Sequence, residues 1–137
     1  MKKIYCLFFI TISSLFYFGC ASNEGPYAPA KRDSSPEIEN KTVILDKELS
    51  DFIAVDSQNA ERTDGGKLKT MSNVRNRTNQ DLTVQVQTVF RDLNGFSVGD
   101  DTAWETVVLT ANETRTIAAI STNKKAESYT VRIRMMR

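Results

Sequence analysis

The chain has 137 residues, a formal net charge of +1 and no histidine, and its only two cysteines are Cys6 and Cys20. A near-neutral chain without a concentrated basic stretch lacks the electrostatic footprint of a nucleic-acid binder. With no histidine, and with thiols confined to the first 20 residues, the body can form no disulfide, no tetrahedral Cys/His zinc site and none of the usual histidine- or cysteine-based nucleophile arrangements.

Met1-Lys2-Lys3 is a positive start, followed by an apolar run from Ile4 to Phe18 that only Thr11, Ser13 and Ser14 interrupt. About fifteen residues falls short of the ~20 that a membrane-spanning helix needs and suits the h-region of a signal peptide. Within it Cys6 reads as a small hydrophobe. The run ends in Gly19-Cys20-Ala21-Ser22. A small residue directly before a cysteine at that point resembles the lipobox of bacterial lipoproteins. The resemblance implies a signal peptide over 1–19 and acylation of Cys20; the alternative is an uncleaved signal anchor. Loss of Lys2 and Lys3 would leave 16 basic against 17 acidic residues, a net charge of −1. Each buried CH₂ of an acyl chain contributes ~0.8 kcal/mol, so several chains make a stable anchor where one is marginal. Ala21 and Ser22 after the cysteine, with no aspartate, resemble the outer-membrane default of Gram-negative lipoproteins.

Residues 20–41 are expected to be the lipidated cysteine and a flexible tether. All three prolines of the chain (Pro26, Pro29 and Pro36) lie there among Ser, Asn, Gly, Glu and Lys, a composition with little to bury. About 21 residues of such a chain have an r.m.s. span of ~25 Å and an extended limit of ~70 Å. Tyr27, its only aromatic, reads as a solvated linker residue, with a docking contact as the alternative.

From Thr42 the composition changes, and residues 42–137 are expected to form one β-sandwich domain. Short apolar runs at 42–46 and 51–57 precede an Asp64-Gly65-Gly66 turn, with a candidate helical turn at Lys47–Ser50 between the runs. A strand follows over Lys67–Arg77 with Leu68, Thr70, Ser72 and Val74 on one face. The stretch from Val74 to Gly95 then reads strand, turn, strand, turn. Asn79, Gln80 and Asp81 cannot continue a buried strand, and Asn94-Gly95 tolerates positive φ. Between the turns Leu82, Val84, Val86 and Phe90 alternate with Thr83, Gln85, Gln87 and Arg91, the period of two of a half-buried strand. This predicts a hairpin about Asn79–Asp81, with Phe90 inward and Gln87 a solvated residue of little consequence. Three more strands are predicted over Trp104–Thr110, Glu113–Ile120 and Ser128–Met136. In the last, Tyr129, Val131, Ile133 and Met135 alternate with Thr130, Arg132 and Arg134. About seven strands at turn-punctuated spacing, without helical periodicity, define an all-β fold: an antiparallel, immunoglobulin-like β-sandwich.

Taken together, Asp46, Leu49, Ile53, Val55, Gly66, Val74-Arg75-Asn76-Arg77-Thr78, Phe90-Arg91-Asp92-Leu93-Asn94-Gly95, Trp104, Leu109 and Tyr129–Arg134 resemble the YcfL-like family of small bacterial periplasmic lipoproteins. The likeness spans Val43 to Arg134. It implies a periplasmic lipoprotein without an assigned activity. Genes of that family lie near one for a lipoprotein that activates a penicillin-binding protein, which implies a cell-wall context.

No residue is predicted to be catalytic, no metal ligand is named and no cofactor is expected. Ser121-Thr122-Asn123-Lys124 matches S-x-x-K but lacks the S-D-N and K-T-G partners of that motif and reads as a polar loop. Asp92-x-Asn94-Gly95 with Asp100-Asp101 invites a cation, but the spacing is not that of an EF-hand, so a hairpin loop and an acidic bend are expected. Asn76-Arg77-Thr78 and Asn112-Glu113-Thr114 match N-x-T and read as turns. Trp104, the only tryptophan, reads either as a core plug or sandwich-end cap, or as a partly exposed partner anchor. Arg75, Arg77, Arg132 and Arg134 are predicted to face outward, either as a solvated face with cross-strand pairing or as one basic patch for a partner. The function predicted is that of a lipid-anchored interaction module of the cell envelope, on the periplasmic face of the outer membrane. Its partners would be the membrane, through Cys20, and an envelope protein of the cell-wall synthesis apparatus. The alternative is a binding module for cell-wall glycan or a small ligand.

Mass spectrometry of the membrane fraction should reveal an acylated N-terminal peptide that begins at Cys20. A soluble mature form, or one that retains residues 1–19, would overturn the anchor.

Overall fold

The computed structural model describes residues 41–137; the signal-peptide and tether expectations, Cys20 among them, lie outside the described residues. Seven strands appear in chain order: β1 (Thr42–Ile44), β2 (Ile53–Arg62), β3 (Leu68–Asn76), β4 (Leu82–Arg91), β5 (Glu105–Leu109), β6 (Thr114–Ile120) and β7 (Ser128–Met135). A single 3₁₀ turn, Glu48–Asp51, falls between β1 and β2. The strands form a four-stranded sheet of order β1-β7-β4-β5 and a three-stranded sheet of order β2-β3-β6. The protein is a β-sandwich.

The alternating pattern explains the core. Along β3, Leu68, Thr70, Ser72, Val74 and Asn76 are buried and their neighbours are not. On β4 and β7, Val84, Val86, Phe90, Val131 and Ile133 turn inward and close against Leu49, Ile53 and Leu109. Side chains of period two place one face of each sheet against the other, and the apolar area removed from water there drives the packing.

Two expectations are corrected. The predicted hairpin about Asn79–Asp81 is not one: β3 belongs to the three-stranded sheet and β4 to the four-stranded sheet, so the polar turn carries the chain from one layer to the other. Nor is every pair antiparallel, because β1 runs parallel to β7, Thr42 opposite Val131 and Ile44 opposite Ile133. The chain enters beside β7, and it must reach the far end of the sandwich before β2 can begin opposite Asn76.

That far end is locked by one side chain. Asn76 is fully buried, and its Nδ2 donates to the carbonyls of Gln80 (2.7 Å), Thr110 (3.0 Å) and Leu109 (3.1 Å). Its Oδ1 accepts the amide of Thr78 at 2.9 Å and its hydroxyl at 2.8 Å. The β3–β4 and β5–β6 crossovers are thereby tied to each other. Two backbone bonds reinforce the tie, from the Asn112 amide to the Thr78 carbonyl and from the Asn76 amide to the Glu113 carbonyl, both 2.9 Å. Asn112 takes φ of 59°, a left-handed conformation that asparagine tolerates better than most residues.

Gln87 also departs from its expected role. It faces outward, but its Nε2 donates to the Thr102 carbonyl at 3.0 Å, and its Oε1 accepts from Arg132 at 3.4 Å. Denaturant unfolding should therefore rank three variants. Phe90→Ala should cost about 3–5 kcal/mol. Asn76→Asp puts a carboxylate against three carbonyls and should cost at least about 2–3 kcal/mol. Gln87→Ala should cost about 1 kcal/mol. Equal losses for Phe90→Ala and Gln87→Ala would mean that the register of β4 is shifted by one residue.

Candidate functional site

The outward face of the four-stranded sheet carries the most organised set of polar and aromatic side chains. On β4 and β7 the register sets Gln85 opposite Arg134 and Gln87 opposite Arg132. The Arg134 Nε donates to Gln85 Oε1 at 3.0 Å. Its guanidinium also lies 3.9 Å from the centroid of the Trp104 ring, and such a cation–π stack stabilises by ~0.5–2 kcal/mol according to its exposure. Trp104 sits one residue before β5 and is half-buried on this outer face, so it is not a plug of the core. Further along the same face, Arg91 Nη1 donates to the buried Thr130 hydroxyl at 2.7 Å. Arg134 is thus held by a neutral amide and a ring.

The four arginines predicted as one patch do not share a face. Arg75 projects from β3, on the outer surface of the other sheet, and is engaged by Asp56: Nε to Oδ2 at 2.9 Å and Nη2 to Oδ1 at 3.1 Å. Asp56 is the extra residue at a register shift between Val55 and Ser57, and a bulge of this kind re-aims a side chain. The bidentate contact raises the Arg75 pKa, first through the hydrogen bond and then through the carboxylate's charge. Arg77 lies past the end of β3, exposed in the crossover. Only Arg132 and Arg134 accompany Trp104.

A shallow cavity of about 260 Å³ also opens on the three-stranded sheet, lined by Ser57, Gln58, Asn59, Met71, Asn73 and Thr116. Its polar groups are bonded to one another: Asn73 donates to Ser57 at 2.7 Å and accepts from Thr116 at 2.7 Å. Nothing in the sequence pattern marked it, because Thr116 on β6 lies more than forty residues along the chain from the β3 residues it meets.

The S-x-x-K and acidic stretches are hydrogen-bonded into their own loops. Ser121 is fully buried, and its hydroxyl donates to Asp100 at 2.6 Å. The same Asp100 Oδ2 accepts the amides of Thr122 (2.7 Å) and Asn123 (3.0 Å). One carboxylate therefore fastens the β6–β7 loop to the β4–β5 loop. Asp92 closes its own turn, with Oδ1 accepting the amides of Asn94 and Phe96, both at 2.9 Å. Among the described residues no three Asp, Glu, His or Cys side chains group as metal ligands.

A two-layer sandwich of this kind, with a stacked Trp–Arg pair on one outer face, places the chain in a class of small all-β domains. The sequence matches the DUF1425 family, described as proteins of unknown function, over residues 40–135; the chain belongs to that family. Two solved structures share the fold. A DUF1425 family member from Shewanella sp. pv-4 is 20% identical, with a TM-score of 0.57 over 62% of this chain and 79% of its own. The Campylobacter jejuni protein cj0090 is 17% identical, with a TM-score of 0.56 over 71% of this chain and 99% of its own. No curated protein matches.

Burial opposes ionisation of Asp100, but the donors from Ser121, Asn123 and Thr122 outweigh it and hold its pKa below the ordinary 3.8. A depressed folded pKa adds stability that is full above the unfolded value and is lost as pH falls through the folded one. Protection of the amides of residues 121–126, taken relative to their intrinsic exchange rate at each pH, should accordingly hold down to about pH 4 and fall below it. In Asp100→Asn it should be low throughout.

Proposed function

We propose that this protein is a lipid-anchored periplasmic lipoprotein of the YcfL-like kind that acts without catalysis, by presenting one face of its sandwich to another envelope protein. The signal peptide over 1–19 and acylation of Cys20 place it on the periplasmic face of the outer membrane, with residues 20–41 as its tether. The observation that carries the reading is the Trp104–Arg134 stack, 3.9 Å apart, flanked by the Arg132–Gln87 and Arg134–Gln85 pairs. Tryptophan and arginine are the residue types most enriched at binding hot spots. Side chains held in one conformation before binding lose less entropy on association. Arg75 and Arg77 are outside this surface, since Arg75 is engaged by Asp56 on the opposite sheet. The partner is a protein of the cell-wall synthesis apparatus with an acidic or amide-rich docking surface, because planar guanidinium groups recognise carboxylates and carbonyls in a bidentate manner.

In-cell crosslinking of the full chain tests this. Trp104→Ala with Arg134→Glu should lower recovery of the principal partner by at least ~10-fold, equivalent to ~1.4 kcal/mol, and Arg75→Glu should leave it unchanged. Equal recovery from both variants would remove the face from consideration. If instead the double variant loses binding to purified sacculi alone, the ligand is cell-wall glycan and the alternative reading holds.

A further inference from the structure

At the end of the sandwich opposite Asn76, the β4–β5 loop holds two large apolar side chains out in solvent. Leu93 is 86% exposed and Phe96 is 71% exposed. Neither belongs to the outer face described above. A flexible loop could fold such residues back against the sheet; this one cannot. The Asp92 amide donates to the Phe96 carbonyl (2.8 Å) and the Gly95 amide to the Asp92 carbonyl (3.0 Å). The Asp92 carboxylate takes the amides of Asn94 and Phe96, both at 2.9 Å. Gly95 occupies φ of 84°, which glycine alone adopts without strain. Four of the five amides in 92–96 are therefore bonded within the turn itself.

A turn closed in this way is suited to an apolar medium, where an unbonded backbone group is costly. Its surroundings agree. The β6–β7 loop, fastened alongside through Asp100 and through the Asn123 side chain on the Val98 carbonyl (3.3 Å), presents Lys124 and Lys125. Both lysines are exposed, and no ion pair is formed by either among the described residues. Leu or Phe flanked by lysine is the composition that seats at a lipid–water boundary. Asp92, Asp64 and Asp101 at this end restrict the contact to headgroup depth, since carboxylates stay hydrated.

We infer that the 92–96 turn is a second, non-covalent membrane contact: Leu93 and Phe96 seat at the surface of the phospholipid bilayer that carries the acyl anchor, with Lys124 and Lys125 on its phosphates. This rests on the anchored reading of Cys20. The contact fixes the orientation of the anchored domain and turns the Asn76 end away from the bilayer.

The test uses the full chain carrying Cys6→Ala and Asn94→Cys, purified from membranes and reconstituted in phosphatidylethanolamine–phosphatidylglycerol vesicles. A thiol-reactive, environment-sensitive fluorophore is then attached. Labelling stoichiometry reads the anchor independently: one dye per chain means that Cys20 is acylated, and two mean that the anchored reading fails and this inference with it. With one dye, the label at 94 should be quenched by a lipid-borne spin label and at least ~3-fold less accessible to iodide than a label in Ala111→Cys at the opposite end. Adding Leu93→Asp and Phe96→Asp should abolish both differences. Equal iodide access at 94 and 111, with the acyl anchor intact, overturns the membrane contact and leaves a protein groove as the occupant of the turn.

Discussion

The structure depends on a buried asparagine. Among the described residues four connections carry the chain from one sheet to the other; two of them, β3–β4 and β5–β6, meet at one end, and each leaves carbonyls that no strand can satisfy. Asn76 accepts and donates at the point where both passages meet, with five hydrogen bonds of 2.7–3.1 Å from one side chain. A buried amide so fully bonded is stabilising, whereas each bond lost would leave a desolvated group costing about 1–3 kcal/mol. No apolar residue could close the two crossovers together. This constraint positions β4 and β5, and with them the outer face that carries Gln85, Gln87 and Trp104.

The opposite end is organised by different chemistry. There the loops are long, and Asp100 and Asp92 serve as acceptors for backbone amides where a strand partner is missing. Carboxylates suit that task because an ionised oxygen accepts several donors at once and bonds them more strongly than a neutral one. The consequence for function is a division between a locked end, where Asn76 ties the β3–β4 and β5–β6 crossovers, and an end of fastened loops that carries exposed apolar and cationic groups. The surfaces able to meet a partner are all mounted on rigid elements, as binding with little entropic loss requires.

Much of the fold is legible in the strands. The alternation of Leu82, Val84, Val86 and Phe90 with Gln85 and Gln87 fixes which side of β4 faces the core, because a shift of one residue would bury every amide. The same holds for Leu68 to Val74 on β3 and for Tyr129 to Ile133 on β7. Pairing was not legible. Asn79-Gln80-Asp81 suits a hairpin and a crossover equally, since turn residues report a reversal of direction and not the sheet that the next strand joins. The parallel partnership of β1 and β7 was equally hidden, as a three-residue strand carries no directional signal.

By itself, then, the sequence determined the class of element, the inward face of each long strand and the absence of histidine or body cysteine for chemistry. Those properties depend on residue type and on spacing along one strand. Which surface residues become neighbours was decided only in the tertiary structure. Arg75 and Arg132 look alike as outward arginines, each following an inward valine, yet they stand on opposite sheets, one held by a bulge aspartate and the other bonded to Gln87. Trp104 meets Arg134 across strands about thirty residues apart, and Asn76 meets Leu109 in the same way. Periodicity orients a side chain relative to its own strand, but the choice of neighbour rests on sheet order, which burial and hydrogen bonding of the whole chain must settle together.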